Sequence, residues 1–139
     1  MNTSASYLKP LPRIDERTKP HWDGNAAGEL RVQKCDDCST LRFPASRWCA
    51  HCLSENTSWQ KVSGKGKVWS WCVFHRAYFK SFEPDLPYAV VLVELDEGVK
   101  MYSNLAGVPN DKIRIGMPVR AVFEKATDDV TLVKFEEDK

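Results

Sequence analysis

A chain of 139 residues has room for one modest core, or for a small core joined to a metal-stapled module, but not for two ordinary domains. The formal net charge of +1, with 28% charged and 42% hydrophobic residues, is that of a globular protein and gives no global reason to expect a nucleic-acid or membrane partner. Met1 to Leu11 is polar and proline-bearing, without the apolar run of a secretory signal, and the longest apolar run, Tyr88 to Val93, is far too short to span a bilayer, so the expected location is the cytoplasm.

In chain order, residues 1–29 read as an arm. Its first dozen residues are proline-rich and expected to be extended, and Asp15 or Thr18 is placed to cap a short helix running to about Gly28. Within that helix Trp22 is expected to anchor the arm on the body of the protein, with His21 beside it. Residues 30–56 then alternate strand and knuckle: Leu30 to Cys35, the knuckle Cys35 to Cys38, Thr40 to Phe43, and the knuckle Cys49 to Cys52. That alternation is how a zinc ribbon is written. From residue 57 to 139 the pattern is β-rich, with segments at Trp59 to Val62, Gly66 to Tyr78, Pro87 to Leu95, Val99 to Leu105, Val119 to Glu124 and Val130 to Phe135. Gly64, Asp85, Gly98, Gly116 and Asp129 punctuate them, and a helical turn is expected near Asn110. One long strand, two more, a helical turn and two final strands is the element order of an OB-fold, a five-stranded and partly open barrel. The expected class is therefore mainly β: a helical arm, a zinc ribbon and a C-terminal OB-fold barrel. Both faces of the strand at Val68 to His75 are largely apolar, which predicts cover on both sides.

Cys35, Cys38, Cys49 and Cys52 form a C-x2-C-x10-C-x2-C array. Each two-residue loop lets two thiolates converge on one metal, and the hairpin between brings the pairs together. Four thiolates close a tetrahedral shell and leave no open position, so the metal is read as structural zinc; iron also accepts four thiolates and stays open on sequence alone. His51, inside the second knuckle, is read as solvent-facing or as lying just outside the ligand shell. Cys72, the odd cysteine, is expected to be a buried core residue, and His75 to face the opposite side of the pleat. No nucleophile elbow, P-loop, dinucleotide fingerprint or H-E-x-x-H appears, so no catalytic constellation is assembled.

From Lys61 to Lys80 the chain holds five basic residues and no acidic one, interleaved with Trp69, Trp71, Phe74, Tyr78 and Phe79. Such a surface suits the phosphates and adenine of a coenzyme, or the backbone and bases of a nucleic-acid single strand. The candidate ligand residues are Lys65, Lys67, His75, Arg76, Tyr78 and Phe79, with Arg42 and Arg47 beside the ribbon as further phosphate candidates. A plain reading of the same lysines is a charged strand edge that discourages aggregation.

Six stretches together resemble the DUF35 family: Thr18 to Trp22 (TKPHW), Leu30 to Cys38 (LRVQKCDDC), Arg42 to Pro44 with Cys49 to Cys52, Val62 to Ser70 (VSGKGKVWS), Pro87 to Gly98, and Ile115 to Val119. The resemblance covers nearly the whole chain. It implies an OB-fold with a rubredoxin-like zinc ribbon, associated with acyl-CoA and generally non-catalytic by itself. It also implies a hetero-oligomer in which a thiolase-like enzyme, an aldolase or a hydratase supplies the active site. A nucleic-acid-binding module is the alternative, since OB-folds and zinc ribbons serve that role as well; the near-neutral charge and short basic stretch weigh against it.

Overall fold

The computed structural model describes residues 7–139, and the first six positions of the expected arm lie outside them. Residues 7–15 carry neither helix nor strand. The first element is α1, Lys19–Ala26. Asp15 and Thr18 set its start together: Asp15 N–H donates to Thr18 Oγ1 at 3.1 Å, and Thr18 N–H donates to Asp15 Oδ1 at 3.0 Å. Pro20 sits in the first turn, where a missing N–H costs no bond. The helix stops at Gly28, whose φ of 76° is the left-handed conformation glycine adopts without penalty, and Glu29 N–H returns to the Gly24 carbonyl at 2.8 Å.

Three short strands follow, β1 (Arg31–Cys35), β2 (Leu41–Arg42) and β3 (Thr57–Lys61), in the antiparallel order β2-β1-β3. β3 covers most of the segment that the chain order groups with the barrel. It pairs instead with β1 over five positions, from Arg31 opposite Lys61 to Cys35 opposite Thr57. The ribbon sheet thus begins and ends outside the two knuckles.

The second sheet holds β4 (Lys65–Phe74), β5 (Tyr88–Leu95), β6 (Lys100–Ser103), β7 (Pro118–Lys125) and β8 (Thr131–Glu137), ordered β6-β5-β4-β7-β8. One parallel bridge, Leu105 to Phe135, curls the two edges toward each other: Ala106 N–H donates to the Phe135 carbonyl at 2.7 Å and Phe135 N–H to the Asn104 carbonyl at 3.0 Å. The result is the five-stranded, partly open half-barrel expected of an OB-fold. The helical turn near Asn110 is a 3-10 turn at Asn110–Lys112, and a second one, Lys80–Asp85, fills the stretch between β4 and β5 where no element was expected.

β5 shows why the sheet forms. Ala89, Val91, Val93 and Leu95 are buried while Tyr88, Val90, Leu92 and Glu94 are half-buried on the other side, the period of two that a pleated strand imposes. The buried set packs with Val68, Met101, Met117, Val119 and Phe135, and also with Leu30, Val32 and Val62 from around the ribbon sheet. Ribbon and barrel therefore share one apolar core. α1 packs on β1, β7 and β8. Its anchor is polar rather than the expected Trp22, which is only half-buried: His21 and Asn25 are buried, and Asn25 Nδ2 donates to the Thr131 carbonyl at 3.0 Å.

Cys72 corrects a second expectation. It is exposed, and among the described residues neither α1 nor the ribbon strands pack substantially on β4. The reason is a β-bulge. Val68 pairs with Val93 and Ser70 with Leu92, so Trp69 is an extra residue that shifts the pleat by one. Before the bulge Gly66 and Val68 point inward; after it Trp71 and Val73 do, and Cys72 turns out. Among the described residues no helix is long and apolar enough to cross a membrane.

Candidate metal centre and ligand surface

Each knuckle is a tight turn that aims two sulfurs at one point. Ser39 N–H donates to the Cys35 carbonyl at 2.9 Å and Leu53 N–H to the Cys49 carbonyl at 2.8 Å, with both residues at φ 65°. The four sulfurs lie within 4.8 Å of one another; Cys35 Sγ is 3.5 Å from Cys52 Sγ, and Cys38 Sγ is 3.6 Å from Cys49 Sγ. Thiolates at about 2.3 Å from a tetrahedral zinc stand about 3.8 Å apart, close to the spacings seen here, so the cluster suits that ion.

The surroundings favour the charged form of the thiols. Thr40 Oγ1 is 3.1 Å from Cys38 Sγ, and the Thr40 hydroxyl and N–H bring Cys38 down to about 7. Cys35 is lowered chiefly by the Cys38 N–H, and Cys49 by the Cys52 N–H. Cys52 is the counterpart: the Ser54 N–H pulls it down, but the sulfurs of Cys35, Cys38 and Cys49 outweigh this and raise it to about 12. Four neighbouring sulfurs cannot all shed their protons until a cation takes their place. Around them Asp37, lowered by bonds from the Ser54 hydroxyl and from Asn56 Nδ2, ties the first knuckle to the segment after the second. His51 is exposed, and its N–H lies 3.4 Å from Cys49 Sγ, outside the four-sulfur set.

The candidate ligand residues do not form one cluster. Lys65 and Lys67 stand at the start of β4, where Lys67 faces Glu94 at 3.8 Å. His75, Arg76, Tyr78 and Phe79 lie past its far end, roughly 25 Å away at about 3.3 Å per residue. At that end Arg76 sits 5.5 Å over the Tyr78 ring, and an aromatic chain runs from Phe74 to Tyr88 to Phe82 to Phe79. Arg47 is engaged by Glu55 at 2.9 Å and stacks on Trp48, while Arg42 donates to the Ser46 carbonyl at 3.1 Å and has two buried guanidinium nitrogens without a partner among the described residues.

A cleft of about 400 Å³ opens beside the aromatic chain, lined by Tyr7, Lys9, Phe82, Tyr88, Leu105 and Lys134 among others. Lys9, one of its lining residues, is bound to Asp85 at 2.5 Å and lies 5.2 Å above the Phe82 ring. No local motif announces a cleft built from the arm, the 3-10 turn and the seam between β6 and β8.

Comparison with known proteins agrees with this architecture. The family described as the ChsH2 rubredoxin-like zinc ribbon domain matches residues 22–58, and the ChsH2 C-terminal OB-fold domain matches residues 59–124. The ribbon match and the four-sulfur geometry together identify the metal as structural zinc, held by Cys35, Cys38, Cys49 and Cys52. A probable enoyl-CoA hydratase alpha subunit of Thermomonospora curvata is 38% identical over 92% of this chain, which spans 40% of that protein's length. A DUF35 domain-containing scaffold protein of Methanocaldococcus jannaschii is 35% identical, over 69% of this chain and 68% of its own length. A chain of a solved structure described as an Ltp2-ChsH2(DUF35) aldolase superposes with a TM-score of 0.80 at 36% identity, covering 91% of this chain and 98% of its own.

Proposed function

The chain belongs to the DUF35 family of OB-fold proteins with a zinc ribbon, and from that premise we propose that it is a non-catalytic accessory subunit of an enzyme complex acting on acyl-CoA esters. The observation that carries the reading is the superposition on a chain of the aldolase structure over almost that chain's full length. The hydratase alpha subunit, named for a CoA thioester, contains a region similar to this chain. An aldolase or hydratase partner follows from these relatives, and a thiolase-like fold for it from the family resemblance.

The chain's own part is to hold and orient. Its zinc shell is closed, so the metal stabilises the ribbon rather than activating water. The CoA portion is assigned to the far end of β4, where Arg76 lies over the Tyr78 ring and Phe79 packs near Phe82, a residue that lines the cleft. There a guanidinium serves the phosphates and an aromatic ring the adenine, while Lys65 and Lys67 lie too far away to share a compact ligand.

Purification of the tagged chain from its native cells tests this reading. The expected result is an enzyme acting on CoA thioesters in fixed stoichiometry, with thioester turnover by the complex and none by the isolated chain. Titration of CoA into the complex is expected to weaken at least tenfold in Arg76→Glu with Tyr78→Ala. Recovery of nucleic acid in place of an enzyme, released by salt, would displace the proposal.

A further inference from the structure

The outer side of β4, β5 and β6 is apolar in sequence yet open in the fold. Its rows follow from the strand register. Cys72 lies opposite Val90; Ser70, Leu92 and Tyr102 form one cross-strand row; Lys67, Glu94 and Lys100 form the next. The bulge sets Trp69 between these rows, 49% exposed, with Lys100 Nζ 4.2 Å above its ring, and Tyr102 is 73% exposed. Val90 and Leu92 are half-buried and Cys72 is exposed. Where α1 covers β7 and β8, no described element plays that part here.

We propose that this face, centred on Trp69, Leu92 and Tyr102, is where the chain docks onto its enzyme subunit; the assignment rests on the accessory-subunit reading above. Its composition is that of a binding surface. A tryptophan and a tyrosine sit over aliphatic neighbours at the centre, and charged side chains form the rim. The charge selects the occupant. Two lysines stand against one glutamate, so a second copy of this face would bring like charge to like, whereas an enzyme surface with an apolar centre and an acidic rim complements it. The relatives point the same way. In the Thermomonospora protein the region similar to this chain is 40% of a longer enzyme subunit, and the superposed chain comes from a structure whose description names two components. A bulge that spends a tryptophan on solvent, and a strand apolar on both sides, are accounted for once that side is covered.

Cys72 is a native reporter on the face, one cross-strand row from its centre, being the one cysteine outside the zinc set. With zinc bound, N-ethylmaleimide is expected to label Cys72 readily in the free chain and at least tenfold more slowly in the purified complex. Tyr102→Glu, at a solvent-exposed position, is expected to keep its zinc and its melting temperature while losing co-purification of the enzyme at least tenfold. Ile115→Glu, an equally open apolar position elsewhere, is expected to retain it. An intact complex whose Cys72 labels at the free rate, or that Tyr102→Glu leaves unchanged, overturns the face alone. Absence of any enzyme defeats the functional reading and the occupant with it. Concentration-dependent self-association of the free chain that protects Cys72 would reassign the face to a second copy.

Discussion

Leu53 shows how much the zinc knuckles ask of single residues. The turn after Cys52 needs a positive φ, and leucine supplies it at 65° while 74% exposed, so it bears the left-handed penalty and recovers little burial. Leu53→Gly is therefore expected to raise the stability of the zinc-loaded protein by about 0.5–1 kcal/mol, read as a higher denaturant midpoint at unchanged zinc content. His21 has the opposite character. Its Nδ1 bonds the Arg31 carbonyl at 3.1 Å, so that nitrogen carries the proton, and Nε2 accepts from Asn25 Nδ2 at 3.2 Å. A second proton on Nε2 would meet that amide's N–H groups, and turning the amide would set its oxygen against the Thr131 carbonyl. Burial holds His21 below the usual imidazole range, with the Arg31 bond opposing. The unfolded chain thus takes up the proton first, and stability is full above about pH 6.5 and falls as pH drops through the folded value. Urea midpoints measured from about pH 7 to about pH 5 are expected to fall more steeply for the wild type than for His21→Ala. Parallel slopes would remove His21 from the account.

Among the elements, those with a clean period or a strong terminator were legible from the residues alone. α1 lies between its capping pair Asp15 and Thr18 and the glycine that ends it, and β5 alternates without a break. β4 was not legible in the same way. Its apolar residues run on both sides, and the bulge at Trp69 reverses the pleat without any glycine or proline to mark it, so the sequence placed Cys72 in the core. Which sheet β3 joins was not legible, because a short alternating strand carries no statement of its partner; that is decided by its pairing with β1. Of the candidate site, the four cysteines were legible because spacing alone brings them together, whereas the ligand residues were grouped by nearness in sequence along a strand long enough to separate them. At the start of β4 the close approach to β5 depends on Gly66, where an added Cβ would collide with the Glu94 carbonyl and lie 2.9 Å from Leu95 Cα. Gly66→Ala is expected to cost about 1–3 kcal/mol in chemical denaturation, with a displaced β4–β5 register as its structural signature.

For the whole molecule the consequence is one cooperative unit. Leu30, Val32 and Val62 belong to the same core as Val91, Val119 and Phe135, so the ribbon cannot come apart without exposing the barrel. Cys35→Ser, which removes one sulfur from a closed tetrahedron, is expected to release zinc and destabilise the entire chain by several kcal/mol, comparable to the total of about 5–15 kcal/mol that holds a domain together. A retained barrel transition at the wild-type temperature would show two independent units instead. The same unity suits the accessory role proposed above, since a rigid body would carry the proposed ligand end of β4 and the open sheet side in fixed relation. The most direct test of that role is reconstitution: thioester turnover by the purified partner enzyme, measured with and without this chain at saturating ratio. The account predicts that the chain alone turns over nothing and that omitting it lowers the enzyme's kcat/KM at least tenfold. Turnover by the chain alone, or an enzyme equally active in its absence, would contradict it.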